Sequence, residues 1–121
     1  MIKTEGLTHI HLVVRDLDRS LAFYQGVFGM EEKFRDGELV FLTTPGTGDS
    51  ITLNPGEDER EHAGTVGGVR HFGFRLRDGE SLDEAIAEVE AAGGRLVQRG
   101  ERAPGVGFAY VEDPDGYVIE R

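Results

Sequence analysis

The sequence predicts an α+β protein built from two copies of one βαβββ module. Three observations predict it. A motif recurs: "HIHLVVRD" begins at His9 and "HFGFRLRD" begins at His71. Each copy passes from strand-like alternation to helical spacing and then to short strands. The 18 glycines are scattered at turn-like places and form no linker.

In the first copy, Ile10, Leu12 and Val14 alternate with His9 and His11, so one strand face is aliphatic and the other carries imidazoles. Asp16 or Asp18 is placed to cap a helix, and Leu17, Leu21, Tyr24 and Phe28 recur at helical spacing before Gly29. "ELVFLTTPGTGDSITLN" then closes the module with short strands. In the second copy, Phe72, Phe74 and Leu76 hold the alternate positions after His71. Ser81 and Glu84 form a capping box. Leu82, Ile86 and Val89 make the inner stripe of the second helix, which Gly93 and Gly94 stop. "GFAYVEDPDGYVIER" closes this module, with Asp113-Pro114-Asp115-Gly116 as a β-turn. Module one spans about 7–54 and module two about 69–121. The acidic segment 55–68 reads as a solvated connector, with His62 on the surface.

The chain has 121 residues, enough for one domain with a core. Its formal charge is −10, which argues against nucleic acid and against anionic membranes. It has no cysteine, so disulfides and thiolate chemistry are excluded. No apolar run has the length of a membrane span, and no secretory leader is evident. The expectation is a cytoplasmic protein acting on a small molecule.

The repeat pairs His9 with His71, while His11 has Gly73 as its counterpart. Glu120 shares a strand face with Val118, opposite Ile119. Its counterpart in the first module lies at Thr52, or at Ile51 if the longer turn shifts the match. Two imidazoles and one carboxylate on converging strands make a set suited to divalent Fe, Mn, Ni or Zn, with positions left for water and substrate. His9, His71 and Glu120 are therefore the expected metal ligands. His11 lies ~6.6–7 Å along the strand from His9 and is a candidate acid or base. No phosphate loop and no nucleotide fingerprint is present, so no organic cofactor is expected.

These blocks resemble the vicinal oxygen chelate superfamily. "LTHIHLVVRDLDRSLAFYQGVFGM" is similar to its opening strand and helix, "VRHFGFRLRD" to its second histidine strand, and "FAYVEDPDGYVIE" to its closing turn and glutamate strand. The group includes glyoxalase I, extradiol dioxygenases, methylmalonyl-CoA epimerase, fosfomycin-resistance enzymes and bleomycin-type resistance proteins. The resemblance implies two βαβββ modules curving into a cup-shaped mixed sheet around a divalent metal, with His9, His71 and Glu120 in the ligand places. Glyoxalase I and the epimerase bear a fourth Glu or Gln ligand where this chain has Thr52. That departure favours a three-ligand activity, of dioxygenase or of lyase or transferase type, over glyoxalase I. Tyr110 and His11 are the catalytic candidates. The alternative is a non-catalytic protein that sequesters an antibiotic, for which an acidic chain would suit a cationic drug. Small relatives pair two chains to complete their cups, so a homodimer is expected.

Overall fold

Local chemistry sets the helix ends. In a computed structural model that describes every residue except Val66 and Arg121, the side chain of Asp16 accepts from the Arg19 backbone N–H and opens α1 (Leu17–Phe28). Gly29, at φ 63°, closes it, a conformation that costs glycine little. Ser81 caps α2 (Leu82–Ala91) by accepting from the Glu84 N–H. Of the two aspartates placed to cap α1, Asp16 does so, and Asp18 lies in the first turn, where a carboxylate meets the positive end of the helix.

The strands are β1 (Ile10–Val13), β2 (Glu31–Asp36), β3 (Leu39–Thr43), β4 (Ile51–Asn54), β5 (Phe72–Gly73), β6 (Arg95–Ala103), β7 (Val106–Glu112) and β8 (Val118–Glu120). They form two four-stranded mixed sheets, ordered β1-β4-β3-β2 and β5-β8-β7-β6. The sheets are copies of one topology: β1 runs parallel to β4, and β5 runs parallel to β8. β5 is shorter than the apolar alternation of "HFGFRLRD" suggests: Phe72 and Gly73 pair with Ile119 and Glu120 of β8. The Phe74 N–H also donates to the Glu120 carbonyl, at 2.9 Å. Gly73 permits that approach, since a Cβ there would lie 2.8 Å from the Glu120 carbonyl oxygen.

One face of each sheet packs on its helix. Leu12, Val40, Leu42, Ile51 and Leu53 of the first sheet join Leu21, Phe23 and Tyr24 of α1 in the core. Ala109, Val111 and Ile119 of the second join Ile86 and Val89 of α2. Phe28 and Phe74 stack at 4.1 Å between ring centres and tie the two halves together.

A polar latch also joins the modules. The Asp113–Asp115 turn lies against α1. Tyr24 Oη donates to Asp113 Oδ2 at 2.7 Å, Ser20 Oγ donates to Asp115 Oδ2 at 3.2 Å, and Tyr117 Oη donates to the Val13 carbonyl at 2.6 Å. The connector is drawn into this junction, contrary to its expectation as a solvated segment. Ala63 is buried, and a Cβ on Gly64 would lie 2.1 Å from the Asp115 carbonyl oxygen. Its acidic residues still face outward, as does His62, which lies 3.3 Å from Glu61.

The latch makes stability sensitive to alkali. Burial pushes the Tyr24 hydroxyl well above its ordinary ionisation range, and the Asp113 charge adds to the shift. Burial raises Tyr117 as well. The fold thus holds both phenols neutral, while in the unfolded chain they ionise near their ordinary value of about 10. The stability they contribute is fully present below that value and is lost as pH rises above it. Urea midpoints should therefore fall steeply between about pH 9.5 and 11. Tyr24→Phe should flatten that fall, and an unchanged slope would exclude Tyr24 as its source.

Candidate metal centre

The site is built on the sheet faces turned away from the helices. In β8, Ile119 enters the core, so Glu120 points to the open side. In β7, Ala109 and Val111 enter the core, and Phe108 and Tyr110 take the open side with Glu120. His71 precedes β5 on the same edge. Its Nε2 lies 3.2 Å from Glu120 Oε2, and its ring meets Tyr110 edge-on at 5.0 Å. Adjacent ligands of an octahedral ion with bonds of about 2.1 Å lie roughly 3 Å apart. The pair thus has the spacing and the donor chemistry of two neighbouring metal ligands.

Arg102 is a site residue that sequence reasoning missed. Its guanidinium pairs with Glu120 Oε1, donates to Tyr110 Oη at 3.3 Å and lies 4.9 Å over the Phe108 ring. Nothing in the repeat points to it, because it stands near the hairpin end of β6 and packs back along β7. The alternation of β6 is broken by irregular pairing between Glu101 and Ala103, so its side-chain direction was not readable from spacing.

On the first sheet, His9 and His11 also take the open face. His9 Nδ1 lies 2.8 Å from Thr8 Oγ1, and its ring is 6.1 Å from Phe41. Phe34 covers Phe41 edge-on at 5.6 Å. His11 Nε2 lies 2.6 Å from Asn54 Oδ1. An amide oxygen only accepts, so Nε2 donates, and a neutral ring keeps its lone pair on Nδ1.

Register settles the counterpart of Glu120. Ile10 faces Ile51 across β1 and β4 as Phe72 faces Ile119 across β5 and β8. Phe41 faces Thr52 as Tyr110 faces Glu120. Thr52, not Ile51, therefore holds the position of Glu120 in the first module.

A single chain brings together His71, Glu120 and Tyr110, with Arg102, and leaves His9 and His11 on the other sheet. Among the described residues no three or more His, Asp or Glu side chains gather closely enough to hold a metal ion. An apolar groove of about 450 Å³ runs beside α2, lined by Phe28, Phe74, Leu82, Ile86 and Val89 among others. None of the five predicted site residues lines it.

The two open sheet faces, each with a histidine at its edge strand, define a protein of paired βαβββ modules. The chain matches the model of the Glyoxalase/Bleomycin resistance protein/Dioxygenase superfamily over residues 6–120 and belongs to that family. It is 36% identical to lactoylglutathione lyase of Haemophilus influenzae, covering 94% of this chain and 89% of that one. It is 27% identical to the fosfomycin resistance protein FosX of Listeria monocytogenes, covering 95% and 86%. A solved structure of the E126Q mutant of that FosX, complexed with Mn(II) and 1S,2S-dihydroxypropylphosphonic acid, matches with a TM-score of 0.76 at 28% identity, over 98% of this chain and 89% of the other. No helix among the described residues is long and apolar enough to cross a membrane.

Proposed function

We propose that this chain is the subunit of a homodimeric, divalent-metal-dependent enzyme whose metal is held by His9 of one subunit and by His71 and Glu120 of the other. The observation that carries the reading is the division of the ligand set. His71 and Glu120 stand 3.2 Å apart, while His9 lies on the other sheet of the same chain. The two histidines immediately precede β1 and β5, which are both sheet edges. Unpaired edges and open polar faces need cover, and a twofold pairing of chains sets one β1 edge beside the other chain's β5 edge.

When bound, the metal supplies Lewis acidity toward chelated substrate oxygens. The chain's own residues do the rest. Glu120 and His71 fix two ligand atoms on one face. Tyr110 places its phenol beside His71. Arg102 pairs with Glu120 and donates to Tyr110 Oη, and so holds both side chains at the same face. His11, oriented by Asn54, offers Nδ1 as a base from the first module.

The activity is of a three-ligand type, a lyase, transferase or dioxygenase, rather than glyoxalase I. Thr52 supports this, because the register place of a fourth carboxylate holds a hydroxyl that does not ionise in the physiological range. Methylglyoxal–glutathione isomerisation should be low despite the 36% identity to a lactoylglutathione lyase. Robust isomerase turnover would show the fourth ligand to be elsewhere, with Glu57 and Glu59 the first to replace.

The direct test is metal analysis and light scattering on protein purified without chelator. One divalent ion per chain and a dimeric mass are expected. A monomer at micromolar concentration that still holds its metal would sink the shared site.

A further inference from the structure

The open face of the first sheet holds a polar atom that the fold does not use. Thr52 is 1% exposed, and its Oγ1 has no hydrogen-bond partner among the described residues. Buried hydroxyls are normally paired, because an unpaired one gives up its bonds to water for nothing. Thr52 stands between His11 on β1 and Phe41 on β3, on the sheet face that also carries His9. A valine there would fill the same volume without that cost, and β-branched aliphatics suit a strand interior.

Only one place in the second module corresponds to it. Thr52 faces Phe41 as Glu120 faces Tyr110. Ser50 Oγ is likewise buried without a partner, but one residue before Ile51 its counterpart is Val118, which is not a ligand position. The unpaired hydroxyl of Thr52 therefore stands where the other module puts Glu120, the carboxylate proposed above as a ligand.

We propose that Thr52 is a substrate-positioning residue: its hydroxyl donates a hydrogen bond to an oxygen of the substrate chelated at the coordination position that a fourth carboxylate would otherwise occupy. This rests on the metal centre proposed above. The chemistry it selects is a bidentate oxygen ligand, a vicinal diol, hydroxy acid or dicarboxylate, with one oxygen turned toward β4. A hydroxyl lets that oxygen bind the metal, whereas a glutamate would take the position itself.

The probes are Mn(II) and oxalate, which need no knowledge of the natural substrate. Mn(II) affinity is read by the loss of its free-ion spin-resonance signal, and oxalate affinity by calorimetry on the Mn-loaded protein. Thr52→Val should keep Mn(II) affinity within about twofold and weaken oxalate about tenfold, the size of one lost hydrogen bond. Its melting midpoint should stay level or rise, since the change removes an unpaired buried hydroxyl. Thr52→Ser should bind oxalate within about threefold of the parent, which a merely space-filling role would not ensure. Thr52→Glu should tighten Mn(II) at least tenfold and exclude oxalate by occupying its position. Unchanged oxalate affinity in Thr52→Val, or in Thr52→Ala should the valine variant fail to fold, would overturn the role of Thr52. Failure of the parent protein to bind Mn(II) would instead overturn the metal centre on which it rests.

Discussion

A mixture of His9→Ala and Glu120→Ala proteins should bind metal that neither binds alone. If the site is shared across a dimer, each homodimeric variant lacks a ligand at both sites. A statistical mixture contains about half heterodimers, and each of those rebuilds one intact site of two. Metal content should therefore return to about a quarter of the parent stoichiometry after the subunits are mixed and exchanged. The effect is large because a site with two protein ligands loses chelation as well as one bond, so each parental variant should read near background. The readout depends on no substrate. A mixture that stays at background, with exchange verified by differently tagged chains, would exclude the shared site. The double variant His9→Ala with His71→Ala should lose stoichiometric metal in any arrangement while keeping its secondary structure, because both imidazoles lie on open sheet faces outside the core. Metal retained there would remove both histidines from the ligand set.

The second large effect is expected at Asp115, outside the proposed ligand set. Its side chain is fully buried and receives the Arg15 backbone N–H at 3.1 Å, Arg19 Nη2 at 2.9 Å and Ser20 Oγ at 3.2 Å. It thereby fastens the β7–β8 turn of one module to the helix of the other. Asp115→Ala should cost about 2–3 kcal/mol, from charge-assisted bonds lost and a buried Ser20 hydroxyl left unpaired. The cost falls short of the ~3–5 kcal/mol seen when a fully buried ion pair is broken, because the arginines reach water and rehydrate. For a chain of this length that is a fall in melting midpoint of roughly 8–15 °C at fixed protein concentration. Arg19→Ala alone should cost less than about 1 kcal/mol, since its side chain is 43% exposed. A loss below about 0.5 kcal/mol in Asp115→Ala would show that the latch carries no stability.

The strands and helices were legible because each rests on local chemistry. Alternation placed Ile10 and Leu12 inside and His9 and His11 outside, Ser81 with Glu84 marked a helix start, and Gly29 marked a helix end. The repeat by itself pairs His9 with His71, because duplicated strands keep their side-chain period. The sequence thus determined the two-module α+β class, the faces on which the candidate ligands stand, and the proximity expected of His71 and Glu120.

Tertiary structure decided the rest. Whether Thr52 or Ile51 answers to Glu120 hung on one extra turn residue, and only the hydrogen-bond ladders of β4 with β1 and β3 resolved it. Arg102 entered the site through an irregular β6–β7 pairing that carries no fixed period. Asp113 and Asp115 read as turn residues, which they are, yet their carboxyls also bind a helix about 90 residues away along the chain. The connector was drawn inward for the same reason, with Gly64 lying against that turn. The separation of His9 from His71 within one chain was equally invisible, because the repeat fixes what each module contains and not how two modules pack. Periodicity reports the environment of a residue one or two neighbours at a time. Register between distant strands, and contacts between modules, follow from the packing of whole surfaces, which no local spacing encodes.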